Sequence, residues 1–314
     1  MMNALEALRR HTTVVADTGD VALIARYQPR DATTNPSLIL KAVDLQAYRP
    51  WLDEIRAQAL PGASSLEDRM DALLVRFGKS ILEVVPGRVS TEIDARLSFD
   101  GEASYVRAMG LAERYARCGI PADRYLIKIA ATWEGIEAAR RLERAGVRCN
   151  LTLLFSLRQA AACADAGVRL ISPFVGRIYD WHQKHRRPSP DNSAMVDPGV
   201  ASVRSIYRYL RRHGYPTEVM GASFRNPAQI LALAGCDLLT ISPDLLHALE
   251  QMPAADPDLD WRDDHQDTAA EPILDQAAQF RWAMNEDAMA SDKLAEGIRN
   301  FAADSRKLDA LLSE

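Results

Sequence analysis

Residues 133–175 read WEGIEAARRLERAGVRCNLTLLFSLRQAAACADAGVRLISPFV, and their pattern decides the fold. Trp133 to Ala145 spaces its apolar residues as a helix does and stops at Gly146, after which Val147 to Phe155 is an apolar run of strand length. The unit then repeats: Ser156 to Ala166 reads as helix, Gly167 ends it, and Val168 to Val175 reads as strand. It recurs downstream as helix Pro198 to His213, Gly214 and strand Thr217 to Phe224. A last copy has helix Pro227 to Ala234, Gly235 and strand Asp237 to Ser242. Upstream, Gly119 precedes the strand Tyr125 to Ala131. Glycine suits the position after a helix because the backbone there often turns left-handed, a conformation that strains a Cβ. Proline opens two of the helices, at Pro198 and Pro227, where its missing N–H leaves no bond unmade.

The first half supplies three further strands: Thr12 to Ala16, a short one ending near Thr34, and Ile81 to Val85 continuing toward Val89 to Glu92. Helices are expected at Leu45 to Leu60 and Leu66 to Lys79. Eight strands alternating with helices predict parallel βαβ units with right-handed crossovers, closed as a (β/α)8 TIM barrel. An open doubly wound sheet is the competing arrangement, but no Gly-x-Gly-x-x-Gly follows the first strand. Residues 177–199, with Pro188, Pro190 and Pro198, and the acidic, Pro-rich residues 251–272 break the pattern and are expected as loops. Residues 275–310 read as helix. The expectation is one barrel domain over residues 1–314, with additional C-terminal helices from about residue 275.

The chain has 38 basic and 43 acidic side chains, and its net charge of −5 exerts no pull on nucleic acid or an anionic membrane. No apolar stretch approaches the roughly 18 residues that span a bilayer. Met1 to Glu6 holds no apolar signal core. Cys118, Cys149, Cys163 and Cys236 lie in or beside apolar segments without a Cys-x-x-Cys pair, which suits reduced, buried thiols and a cytoplasmic location. His182 and His185 stand three apart in a basic loop with no third ligand nearby, so no metal site is expected there.

Lys128 interrupts the apolar run Tyr125-Leu126-Ile127-Lys128-Ile129-Ala130-Ala131. A lysine in a buried strand is costly unless paired, and desolvation favours its neutral amine. A neutral, positioned amine is a nucleophile that forms a Schiff base with a carbonyl. The alternative is a structural ion pair in the interior. In a parallel barrel the reacting groups gather at the carboxyl ends of the strands. Nearly every predicted strand ends on a polar group: Asp17, Asn35, Glu92, Lys128, Asn150 with Thr152, Ser172 with Arg177, and Ser223 with Arg225. Asn150 and Thr152, two apart, share one side of their strand. Two arginines near serines suit a phosphate dianion. Singly, each has a plainer role: Asp17 and Asn35 in turns, Glu92 in a surface pair with Arg96, the serines as filler. Their convergence on one amine favours the catalytic reading.

Seven segments resemble the transaldolase family, in order and nearly end to end. They are Thr13 to Asp20, Asp31 to Ile39 (with Asn35-Pro36), Val85 to Ser98, Leu126 to Ala130, Cys149 to Ser156, Ile171 to Arg177 and Gly221 to Asn226. The resemblance is closest to the longer bacterial and eukaryotic members. It implies a (β/α)8 barrel that moves a dihydroxyacetone unit between sugar phosphates in the pentose phosphate pathway, with no metal and no organic cofactor, usually as a homodimer with the C-terminal helix folding across the barrel. Carried over by matching position, Lys128 forms the imine, Glu92 and Thr152 move the protons of dehydration, and Asp17 deprotonates the C4 hydroxyl. Thr33, Asn35, Asn150, Ser172 and Phe174 hold the substrate, and Arg177, Ser223 and Arg225 hold its phosphate. Related sequences often have Ser where this chain has Ala131, before Thr132-Trp133.

Fructose 6-phosphate aldolases of the same lineage are the nearest rival. They are shorter and carry Gln and Tyr at the positions of Glu92 and Phe174, so the residues here favour transfer over release. A sugar-phosphate-binding protein without catalysis would keep Arg177 and Arg225 but have no use for Lys128, Asp17 and Glu92 together. A metal-dependent aldolase lacks a His/Asp/Glu cluster of ligand spacing.

Overall fold

Eight short strands pair in sequence order, each parallel to the next, and the last returns to the first: β1 (Thr13–Asp17), β2 (Asp31–Thr33), β3 (Val89–Glu92), β4 (Tyr125–Ala130), β5 (Cys149–Leu154), β6 (Leu170–Pro173), β7 (Glu218–Gly221) and β8 (Leu238–Ile241). Closure is made by Val14 opposite Leu239 and Ala16 opposite Ile241. The computed structural model describes residues 2–58, 65–185, 197–263 and 271–314. This is the (β/α)8 barrel that the repeat predicts, with helices outside it and two more at the C-terminus. Gly119, Gly146, Gly167, Gly214 and Gly235 all have φ between +69° and +93°. The first four directly follow the C-cap of their helix, while the last helix stops at Leu231, short of the expected Ala234, and Gly235 turns the chain three residues after its C-cap.

The two-residue period of a strand organises the barrel interior. Val15, Leu126, Leu170, Met220 and Leu238 form a separate apolar cluster contributed by five strands. The residues two further along those strands, Asp17, Lys128, Ser172, Ala222 and Thr240, point the same way and line a cavity at the carboxyl end. An oily layer therefore lies directly beneath a mostly polar one. The main core lies between the barrel wall and the surrounding helices.

Several local expectations are corrected. Ile81 and Leu82 belong to the helix Leu66–Leu82, and the strand begins only at Val89. Leu73, Phe77 and Ile81, four apart and fully buried, continue one helical face, and Pro86-Gly87 then separates helix from strand. The stretch read as helix from Leu45 to Leu60 is helical over Arg49–Gln58, with residues 59–60 outside the described residues, and an additional helix, Pro36–Val43, precedes it. Residues 177–185, expected in a loop, belong to the helix Gly176–His185, and the rest of that loop, 186–196, lies outside the described residues. His182 and His185 are therefore on a helix, where both rings pack on Trp181. The 251–272 segment carries a 3-10 turn, Asp260–Arg262, whose buried Trp261 donates from Nε1 to the Ala234 oxygen at 3.1 Å. Its residues 264–270 lie outside the described residues. Cys149, Cys163 and Cys236 are buried and free, but Cys118 is exposed because it caps the solvent-facing end of the helix Gly101–Arg117.

The C-terminal stretch divides into Ala277–Glu286 and Ala288–Ser313, with Asp287 breaking the first and capping the second through Ala290 N–H. The longer helix packs Leu308 and Leu312 with Ile39, Leu73 and Phe77 of the barrel's outer helices. Its Phe301 reaches the cavity at the barrel mouth.

Candidate active site

Strand register brings the central groups together. Glu92 of β3 is the Cα partner of Lys128 in β4, and Lys128 is the partner of Asn150 in β5. Both Lys128 and Glu92 are buried. The ammonium nitrogen lies 3.3 Å from Glu92 Oε2 and donates to the Thr34 carbonyl oxygen at 3.4 Å. Glu92 thus pairs inside the barrel, while Arg96 pairs with Asp94 and Asp309 at the surface. Lys128 and Glu92 stand within ion-pair distance inside the barrel, so the structural and catalytic readings of Lys128 share this geometry. They differ in whether the nitrogen meets a cavity, and it does.

Asp17 faces the same cavity from β1. Its Oδ1 accepts from Thr33 Oγ1 at 2.8 Å, and Thr33 Oγ1 lies 2.8 Å from Thr240 Oγ1. The adjacent turn is shaped instead by Asp20, which caps the helix Val21–Tyr27. Burial raises the pKa of the Asp17 carboxyl, against the opposing pull of Lys128, the Thr33 hydrogen bond and Arg177. Burial likewise raises Glu92 to about 7, with Lys128 pulling it down. Two carboxyl groups therefore flank one lysine, and at least one of them changes protonation near neutral pH.

A buried polar chain extends round the wall. Asn150 Nδ2 donates to Ser90 Oγ at 3.0 Å, and Ser172 Oγ donates to Asn150 Oδ1 at 2.6 Å. Both ends of the Asn150 amide are thereby fixed. Thr152 lies on the same strand with its Oγ1 buried and without a hydrogen-bond partner among the described residues. Asn35 also lines the cavity, while its Oδ1 accepts from Leu38 N–H at 2.9 Å and caps the helix Pro36–Val43. The sequence left Asn35 between a turn role and a substrate role; capping takes one oxygen and leaves the residue facing the cavity.

The two arginines have unlike settings. Arg177, second residue of its helix, lies 4.9 Å from the centre of the Phe174 ring and 5.6 Å from that of Phe301. Its Nη1 is buried and has no hydrogen-bond partner among the described residues. Burial and then Arg225 lower its pKa, while Glu296, Glu92 and Asp17 oppose that. Arg225 is more exposed, and its Nη2 and Nε bind the Asp180 carboxylate at 2.7 and 3.0 Å. Ser223, at φ +62°, turns its Oγ to within 3.4 Å of Arg225 Nη1. Gly176 makes this junction possible: its N–H donates to the Ser223 oxygen at 2.7 Å, and a Cβ there would run into that oxygen and Arg225 Cγ.

Sequence reading missed Thr240, Asp180 and Phe301. Thr240 could have been found, since it stands two residues after the inward Leu238 of β8. Asp180 was hidden because its helix was read as loop, which has no face on which to align it with Arg177. Phe301 carries no local signal: the family resemblance leads one to expect the C-terminal helix across the barrel, but not which of its residues meets the mouth. Among the described residues no three His, Cys, Asp or Glu side chains stand close enough to hold a metal ion, and no helix is long and apolar enough to cross a membrane. A family model described as Transaldolase/Fructose-6-phosphate aldolase matches residues 14–312.

Proposed function

The chain belongs to the transaldolase/fructose-6-phosphate aldolase family, and on that premise we propose that it is a transaldolase. It moves a dihydroxyacetone unit from a ketose phosphate (fructose 6-phosphate or sedoheptulose 7-phosphate) to an aldose phosphate (erythrose 4-phosphate or glyceraldehyde 3-phosphate). The observation that carries this reading is a buried lysine amine 3.3 Å from one carboxyl group and sharing a cavity with a second, with a guanidinium N–H at the same mouth that has no partner among the described residues.

The amine of Lys128 adds to the ketose C2 carbonyl. Glu92, whose proton is held to about pH 7, protonates the departing hydroxyl, aided by Thr152, and water leaves as the iminium forms. Asp17 accepts the C4 hydroxyl proton. The C3–C4 bonding pair flows into the iminium, giving an enamine on Lys128 and a free aldose phosphate. Thr33 orients the Asp17 carboxylate, and Asn150 with Ser172 presents fixed hydrogen-bonding groups to the bound fragment. The incoming aldehyde is attacked by the enamine, Asp17 returns its proton to the new alkoxide, and hydrolysis frees the product. The three-carbon fragment has no phosphate, so the covalent bond and the Asn150–Ser172 side hold it. Arg177, Ser223 and Arg225 hold the phosphate of the departing and arriving aldoses.

Transfer is favoured over release of dihydroxyacetone by Phe174. It is buried edge-on against Phe155 and offers no hydroxyl to activate water against the enamine. Borohydride reduction in the presence of fructose 6-phosphate tests the whole reading. The expected adduct is on Lys128, absent in Lys128→Ala, with fructose 6-phosphate turnover dependent on an added aldose phosphate. A folded wild-type protein without adduct refutes the enzyme, and steady acceptor-independent release of dihydroxyacetone makes it an aldolase.

A further inference from the structure

Gly297 lies buried on the C-terminal helix Ala288–Ser313, one helical turn before Phe301 and on the same face. A Cβ built on Gly297 would stand 2.6 Å from Leu153 Cδ2 and 3.2 Å from Arg177 Nη1. The Leu153 side chain is fully buried in the main core, so its Cδ2 withdraws only if its neighbours repack. Leu153 sits at φ +52° where the register between β5 and β6 shifts, and its carbonyl oxygen accepts from Gln159 Nε2 at 3.1 Å. Phe301 contributes the second ring beside the Arg177 guanidinium, opposite the contribution of Phe174 from the barrel. The nitrogen that Gly297 leaves space for is the buried one without a partner among the described residues. A buried, unpaired guanidinium N–H is costly and is retained where a ligand oxygen completes it.

The geometry points to Gly297 and Phe301 as positioning residues for the phosphate site: the missing side chain at 297 and the ring at 301 hold Arg177 with Nη1 free for an oxygen of the substrate's phosphate dianion. The C-terminal helix is then part of the specificity of the enzyme for phosphorylated sugars. A Cβ at 297 displaces either Leu153 or the guanidinium. Loss of the ring at 301 lets the guanidinium turn and satisfy itself elsewhere. The inference rests on the proposed phosphate role of Arg177.

The test compares Gly297→Ala, Phe301→Leu and Gly110→Ala in the full chain, with glyceraldehyde 3-phosphate or unphosphorylated glyceraldehyde as acceptor and fructose 6-phosphate as saturating donor. In the first two variants KM for glyceraldehyde 3-phosphate should rise about tenfold more than KM for glyceraldehyde, the expected effect of losing one hydrogen bond to a charged group. Gly110→Ala, where a Cβ meets nothing within 4 Å, should shift neither. Equal changes for both acceptors overturn the inference, because a general packing defect does not distinguish them. Should Gly297→Ala fail to fold, Phe301→Leu decides by the same ratio. Calorimetric titration with inorganic phosphate separates this idea from the transfer reaction. Weaker phosphate binding in the variants, with no borohydride adduct in the wild type, keeps the phosphate site and removes the transferase. Equal binding in all proteins overturns the site even if the adduct forms.

Discussion

Burial holds the Glu92 carboxyl at a pKa of about 7 despite Lys128 at 3.3 Å. In the folded protein the group therefore keeps its proton from the ordinary carboxylate range up to near neutrality. In the proposed reaction it donates to the departing hydroxyl below about pH 7, and above that the donor is depleted. The rate of borohydride-trappable imine formation should fall above about pH 7 in the wild type, with an inflection that Glu92→Gln removes. An unchanged inflection in that variant would assign the titration to another group. Lys128 was legible from its interruption of an apolar run, and Asp17 and Glu92 from their places at strand ends. The Asp180 carboxylate on Arg225 was not, because a charge pair 45 residues apart leaves no trace in local pattern.

At the scale of elements, strand and helix meet closely just past Lys128. The helix Trp133–Arg144 starts on the cap Thr132, whose Oγ1 accepts from Gly135 N–H at 3.0 Å. A Cβ on Gly135 would overlap the Ala130 carbonyl oxygen, a backbone atom that cannot swing aside. Gly135→Ala should therefore lower folding stability by about 1–3 kcal/mol. Gly110→Ala, in the open middle of a helix, should raise it by about 0.5–1 kcal/mol through helix propensity. Urea denaturation of the two variants beside the wild type checks both signs. The five left-handed glycines were readable because each needs only its own backbone to show a preference. Ile81 to Val85 was misread because a short apolar run satisfies a strand or the last turn of a helix equally well.

For the molecule as a whole, the C-terminal helix fastens to the outer helices while its middle reaches the barrel mouth. Leu312 is fully buried beside Ile39, Leu73 and Phe77, Arg69 Nη1 donates to the Leu312 oxygen at 2.9 Å, and Arg56 Nε donates to the Leu311 oxygen at 2.7 Å. Leu312→Ala leaves a cavity in a well-packed cluster and should cost about 2–5 kcal/mol, read as a lower midpoint in thermal or urea unfolding. The eight strands in their order, the inward lysine and the ring of polar strand ends were determined by the sequence alone. Period, helix-ending glycines and an out-of-place charge are properties of neighbouring residues. The pairing of Arg225 with Asp180, the lining of the mouth by Phe301 and the space kept open by Gly297 were decided only by the tertiary structure. Each depends on which surfaces meet after the barrel closes and the last helix folds back over it, and such contacts between distant segments have no periodicity to read.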